Sequence, residues 1–203
     1  MYKKPIVVAF EGIDGAGKTT LIDTVKPQFL REGKTLVNRS AGSLLRKELE
    51  ERNRRSLPSN LILIEEVSNA FKNTLVYYLE AYEASCSIEA DFMFLDRYRD
   101  SFFVRQISTR GNDEIVKSFY GLLPKPDVTV FVDTTVNIAF DRVIARGGER
   151  RGDGIGSLKR MAELYKETNL REHQTPLIQL DGRKTKEDLF SNFIDEIKSY
   201  RLA

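Results

Sequence analysis

The stretch Gly12-Ile13-Asp14-Gly15-Ala16-Gly17-Lys18-Thr19 fits the pattern G-x-x-x-x-G-K-[ST] at every position. It constrains the fold as well as the chemistry. Glycines let backbone N–H groups turn inward around phosphate oxygens, and such a loop joins a strand to a helix. Both neighbours are legible. Ile6–Glu11 is a short apolar run closed by a Gly-rich turn and reads as a buried strand. Thr19–Glu32 reads as a helix ending near Gly33, with Pro27 expected to kink it. The helix start adds its positive dipole end to the loop. Lys18 is expected as an exposed charge donor to the terminal phosphates, and the Thr19 hydroxyl as a partner of Mg²⁺. The motif implies nucleoside triphosphate binding and leaves the reaction open.

Downstream, strand and helix signals alternate. Thr35–Asn38 is a weak second strand, and Gly42–Arg55 is charged and helix-prone, closed by Pro58. Ile64, Val67, Phe71, Leu75, Tyr78 and Tyr82 recur at spacings of three and four, which predicts an amphipathic helix over Ser59–Ser85. Phe92–Leu95 is a third strand, ending at Asp96-Arg97. Asp100–Tyr120 reads as a helix interrupted near Gly111. Asp127–Val132 is the clearest strand and Val136–Ala145 the helix after it. Arg146–Gly156 is a Gly- and Arg-rich loop, Leu158–Glu172 a helix, Leu177–Leu180 a last strand and Thr185–Tyr200 a last helix. Strands separated by helices predict an α/β fold of three layers, with a central parallel sheet of about five strands and helices on both faces. No repeat or long linker divides the chain, so residues 1–203 are expected to form a single domain.

Composition removes other classes. The 203 residues carry a net charge of +2, too balanced for a general nucleic-acid coat. The longest purely apolar runs, such as Ile6–Phe10, are far short of the roughly 20 residues of a membrane span. One cysteine, Cys86, and one histidine, His173, exclude an internal disulfide and a Cys/His zinc site. A cytoplasmic protein is expected.

Three segments carry a resemblance. Phe10-Glu11-Gly12-Ile13-Asp14-Gly15-Ala16-Gly17-Lys18-Thr19-Thr20 resembles the opening of thymidylate kinases. Asp96-Arg97-Tyr98-Arg99-Asp100-Ser101 resembles their D-R-[YFH]-x-x-S signature, and Leu123–Asp133 the proline-then-strand segment that follows. The resemblance implies a P-loop kinase fold. It also implies transfer of the γ-phosphoryl group of ATP to a nucleoside monophosphate, dTMP to dTDP, with Mg²⁺. Gly12 to Thr20, with Lys18 and Thr19 at its centre, would bind ATP, and Thr19 with Asp96 would hold the metal. Arg97 would grip the acceptor phosphate, and Asp14 would approach the acceptor's sugar hydroxyl. Arg142 lies either against the adenine ring or on the ordinary surface. Residues 146–156 resemble the family's lid. Gly15 together with Arg150 and Arg151 fits the pattern that places the catalytic arginine in the lid rather than in the loop; which of the two acts stays open. Arg160 and Tyr165 keep the family's helix spacing, and packing explains them equally. Thymidylate kinases usually pair through helices, so a homodimer is expected.

The base-reading positions depart from the family. Relatives carry R-E-P-G after the second strand; here it is Arg39-Ser40-Ala41-Gly42, leaving Arg39 as a candidate phosphate contact. The stacking Phe and the base-reading Arg of the long helix align with Ile64 and Ser68. Phe71 could stack instead, or simply join the apolar stripe. Phe102 and Arg105 stand where small polar and tyrosine side chains are common, with Arg105 a possible replacement donor to the base; Gln106 fits. Two other readings compete. One is a kinase-like relative acting on another acceptor. The other is a GTPase switch, for which Thr185-Lys186-Glu187-Asp188 matches [NT]-K-x-D, although no D-x-x-G follows the third strand.

Overall fold

Five apolar runs become five parallel strands in the computed structural model, which describes residues 4–40, 90–110, 113–147, 154–171 and 175–200. They are β1 (Ile6–Glu11), β2 (Leu36–Ser40), β3 (Phe92–Asp96), β4 (Val128–Asp133) and β5 (Leu177–Asp181), in the order β2-β3-β1-β4-β5. Each lies within two residues of its expected ends. Six helices accompany them among the described residues: α1 (Lys18–Arg31), α2 (Arg99–Arg110), α3 (Asp113–Leu122), α4 (Val136–Ala145), α5 (Ile155–Arg171) and α6 (Lys186–Ser199). The expected helices over 42–55 and 59–85, with Phe71, lie outside the described residues, as do Arg150, Arg151, Cys86 and His173.

Side-chain alternation sorts the sheet faces. Val8, Phe10, Phe92 and Phe94 enter the larger core, where Phe29 of α1 and Phe193 of α6 meet them. The Phe29 ring lies edge-on to Phe92 at 4.8 Å, and Phe10 edge-on to Phe94 at 5.1 Å, the geometry that aromatic quadrupoles favour. The alternate residues Val7, Ala9, Met93 and Leu95 form a smaller cluster with Tyr98. Over β4, Phe131 packs on Tyr165 of α5 at 5.5 Å.

Pro27 sits inside α1, which continues past it to Arg31. Both Pro27 and Asp23, one turn earlier, are exposed, so the carbonyl that loses its helical donor meets water. The Thr185-Lys186-Glu187-Asp188 segment is a helix cap: Thr185 Oγ1 accepts the Asp188 N–H at 3.2 Å and donates to Asp188 Oδ2 at 2.8 Å. Its agreement with a guanine-recognition pattern is therefore explained by capping. α5 begins at Ile155, earlier than expected, which shortens the loop after α4.

Strands β3 and β4 flank β1, and the chain passes from one side of β1 to the other between them. In open parallel sheets ligands bind at the carboxyl ends of strands where the order reverses in this way. The ends of β1 and β3 are where the singled-out residues gather.

Candidate active site

The loop after β1 is shaped by glycines with positive φ. Gly12 has φ 135°, and a Cβ there would lie 2.5 Å from the Val132 carbonyl oxygen. Gly15 has φ 83°, and a Cβ would strike the Ala139 carbonyl of α4. This loop has no room for an arginine at position 15. α1 opens at Gly17 with no side-chain cap and no acid in its first turn. Its first N–H groups and dipole end are thus left for an anion.

Lys18 differs from its expected exposed state. It is 4% exposed, and its Nζ donates to the carbonyls of Gly12 and Ile13, both at 2.8 Å. Burial, followed by the nearby Arg97 charge, pulls its pKa down to about 7. The ammonium is folded across the loop that it is expected to serve.

Asp96 closes β3, and its Oδ2 accepts the Thr19 hydroxyl at 2.6 Å. A carboxylate and a hydroxyl thus meet at the start of α1. This is an all-oxygen pair suited to a hard cation that keeps most of its ligands as water and phosphate. Among the described residues no group of three or more His, Cys, Asp or Glu side chains could hold a metal by itself. The pair suits an Mg²⁺ ion that arrives with a nucleotide.

Arg97 has φ 77°, left-handed for a non-glycine residue. Its Nη2 donates to Asp14 Oδ1 and its Nη1 approaches the Gly12 carbonyl at 3.5 Å. Arg105, one turn of α2 beyond Ser101, donates from Nη2 to Asp14 Oδ2 at 2.8 Å. Burial alone would raise the Asp14 pKa, but Arg97, Arg105 and Lys18 together hold it below the usual carboxylate range. One loop carboxylate is therefore shared by two arginines.

Other expected residues fall as follows. Arg142 donates from Nη1 to the carbonyls of Gly182 at 2.9 Å, Gly15 at 3.3 Å and Ala16 at 3.4 Å. It is not an ordinary surface arginine: it ties the phosphate loop to the turn after β5. The backbone of Arg39 pairs with Leu95 near the carboxyl end of β3. Phe102 is 1% exposed and belongs to the core, so its ring is not a wall open to a ligand.

Sequence reading missed a set around Glu11. That carboxylate accepts the N–H groups of Tyr98 at 2.9 Å, Asp100 at 3.2 Å and Ser101 at 3.0 Å, and the Ser101 hydroxyl. Burial, reinforced by Asp100, pushes its pKa up to about 7. The available signal was an acid ending an otherwise apolar strand, beside the strongest motif in the chain.

The family model described as thymidylate kinase matches residues 10–191. A thymidylate kinase of Leptospira interrogans is 28% identical over 211 residues, covering 97% of this chain and 98% of that protein. One of a Thermoanaerobacter species is 26% identical over 208 residues, covering 95% and 97%. One of Albidiferax ferrireducens is 28% identical over 163 residues, covering 70% and 71%. The match runs from the end of β1 into α6 and takes in the phosphate loop, the Asp96-Arg97 turn and the Arg142 tie alike: the chain belongs to the thymidylate kinase family.

Proposed function

We propose that the protein transfers the γ-phosphoryl group of ATP to dTMP, releasing dTDP and ADP. The observation that carries the reading is the meeting, at the carboxyl ends of β1 and β3, of the phosphate loop, the Thr19–Asp96 oxygen pair and the Asp14–Arg97–Arg105 cluster. A phosphate acceptor has its second pKa at about 6, so its oxygen is already a nucleophile at neutral pH and needs no general base. That oxygen attacks the γ-phosphorus, the bond from phosphorus to the β-bridging oxygen breaks, and ADP leaves. The work left to the protein is positioning and charge neutralisation.

Lys18 and the free N–H groups of α1 hold the donor phosphates, Lys18 exchanging the Gly12 and Ile13 carbonyls for phosphate oxygens. Thr19 and Asp96 would hold Mg²⁺, which would supply charge neutralisation at the donor phosphates. Arg97 turns from Asp14 to the acceptor phosphate. Arg105 then keeps Asp14 ionised and in place to meet the sugar hydroxyl. Arg39 is a second phosphate contact and Phe71 a stacking ring. Because Gly15 leaves no space for an arginine, the transferring group is closed over by Arg150 and Arg151 of the lid loop. The active unit is a cytoplasmic homodimer of single-domain chains.

A second reading keeps the kinase and changes the acceptor. It is favoured by Phe102, which is core, and by Arg105, which serves Asp14 rather than a base. An ATP-consumption panel over deoxy- and ribonucleoside monophosphates separates the two. dTMP is expected to give the highest kcat/KM; dTMP inert beside another active monophosphate selects the second reading, and no turnover with any of them rejects both.

A further inference from the structure

Glu11 is a buried acid that the transfer reaction as described does not use. It ends β1 and is 1% exposed. Its Oε1 accepts the N–H groups of Tyr98 and Asp100, and its Oε2 those of Ser101's backbone and hydroxyl. These are the donors at the start of α2, which a helix ordinarily satisfies with a short polar side chain just before it. Here the cap reaches in from another strand.

The consequence falls on Arg97. Its own N–H donates to the Phe10 carbonyl at 3.0 Å, while the next N–H, of Tyr98, donates to Glu11. Consecutive amides on either side of the Arg97 Cα are thus pinned to consecutive residues of β1, and that fixes its left-handed φ of 77°. The following residue of β1's chain, Gly12, offers its carbonyl to both Arg97 and Lys18. One short segment therefore sets the arginine turn and the phosphate loop in register. A third element joins: the Tyr165 hydroxyl of α5 lies 2.7 Å from Ser101 Oγ and 3.4 Å from Glu11 Oε2.

We propose that Glu11 is a positioning residue for phosphoryl transfer: its carboxylate holds Arg97 in the left-handed turn that aims the guanidinium at the phosphate loop, with Ser101 and Tyr165 registering α5 against the same carboxylate. This rests on the reading of Arg97 as the grip on the acceptor phosphate. A mere helix cap would affect stability alone. A positioning residue also affects how well the acceptor phosphate is recognised, because misplacement by about 1 Å costs on the order of 10²-fold in rate.

The test compares Glu11→Gln and Tyr165→Phe with the parent protein. Measured are steady-state kinetics with ATP and dTMP, ADP affinity, and the affinity ratio of dTMP to thymidine, which isolates the phosphate contact. Glu11→Gln is expected to lower kcat about 10- to 100-fold, raise the dTMP KM, leave ADP affinity within about twofold, and shrink the preference for dTMP over thymidine about tenfold or more. Tyr165→Phe removes a single hydroxyl and shows the same pattern at about three- to tenfold; it decides the matter if Glu11→Gln does not fold. Variants that melt earlier but keep kcat and the dTMP-to-thymidine preference would overturn the proposal. If the parent protein phosphorylates no monophosphate, the functional reading fails by itself. The Glu11 claim is then decided by crystal structures: loss of the left-handed Arg97 and its Asp14 pair in Glu11→Gln upholds it, and an unchanged turn overturns it.

Discussion

Glu11 and Lys18 stand at the two ends of the phosphate loop, and both are charged residues buried almost completely. They are held in opposite manners. Glu11 is surrounded by donors from α2 and α5, elements outside the phosphate loop. Lys18 is held by two carbonyls of its own loop, partners of the kind that phosphate oxygens outbid. Burial moves both groups toward about 7, the acid upward and the base downward. The difference teaches that burial alone does not say whether a charge is structural or functional. The origin of its partners does: neighbouring elements make an anchor, and the loop itself makes a latch.

Breaking the latch gives the largest effect. Lys18→Ala should lower kcat by about 10²–10³-fold, the usual cost of losing one donor to developing charge, while circular dichroism and the melting temperature stay near those of the parent. Near-normal turnover in a folded variant would show that the lysine is a loop brace only.

Filling the loop comes next. Gly15→Arg must force a side chain into a left-handed position against the Ala139 carbonyl. Strain of this kind costs about 1–3 kcal/mol, so ATP affinity should fall roughly tenfold or more and thermal stability should drop. A variant with unimpaired ATP binding would mean that the loop can open away from α4.

Arg105→Ala sharpens the comparison from the acceptor side. Asp14 would lose one of its two arginines. At 39% exposure that pair is partly screened, so the dTMP KM should rise only about three- to tenfold, with the ATP KM within about twofold. An effect confined to ATP would place Arg105 on the donor side.

The smallest effect is in the pH dependence of the anchor. The folded pKa of Glu11, near 7, stands above its ordinary value of 4.5. Between those values the folded state binds more protons than the unfolded one, so this group's contribution to stability falls as pH rises from about 4.5 to 7 and stays low above. The Tyr165 hydroxyl faces the carboxyl; after burial Asp100 adds to the upward shift, while the Ser101 hydroxyl, Arg97 and the Tyr98 N–H oppose it. Urea midpoints across that range should decline in the parent and flatten in Glu11→Gln. Equal slopes would remove Glu11 as their source.

What the sequence made legible follows the range of the interactions involved. Strands β1 and β4 announce themselves as apolar runs, the phosphate loop as a contiguous pattern, and α4 as a helix with the expected ends. These are local signals. The Thr185–Asp188 cap is local too: its residue types serve two purposes, but its place beyond the last strand already points to a helix start, and the hydrogen bonds agree. The Glu11 network was not legible because its partners lie far along the chain and are mostly backbone amides, which leave no trace in residue identity. Phe102 misled for a related reason: the neighbours of a motif on a helix face different sides, and periodicity does not say which side meets the core. Lys18 was identified by type but placed wrongly, since nothing in the motif shows that its own loop supplies its partners.

The account stands most directly on product stoichiometry. Purified protein incubated with ATP, Mg²⁺ and dTMP, with products separated by anion-exchange chromatography, should form one dTDP for each ADP, and ADP should not accumulate when dTMP is left out. ADP formed at the same rate without dTMP, or no dTDP at any protein concentration, would contradict it.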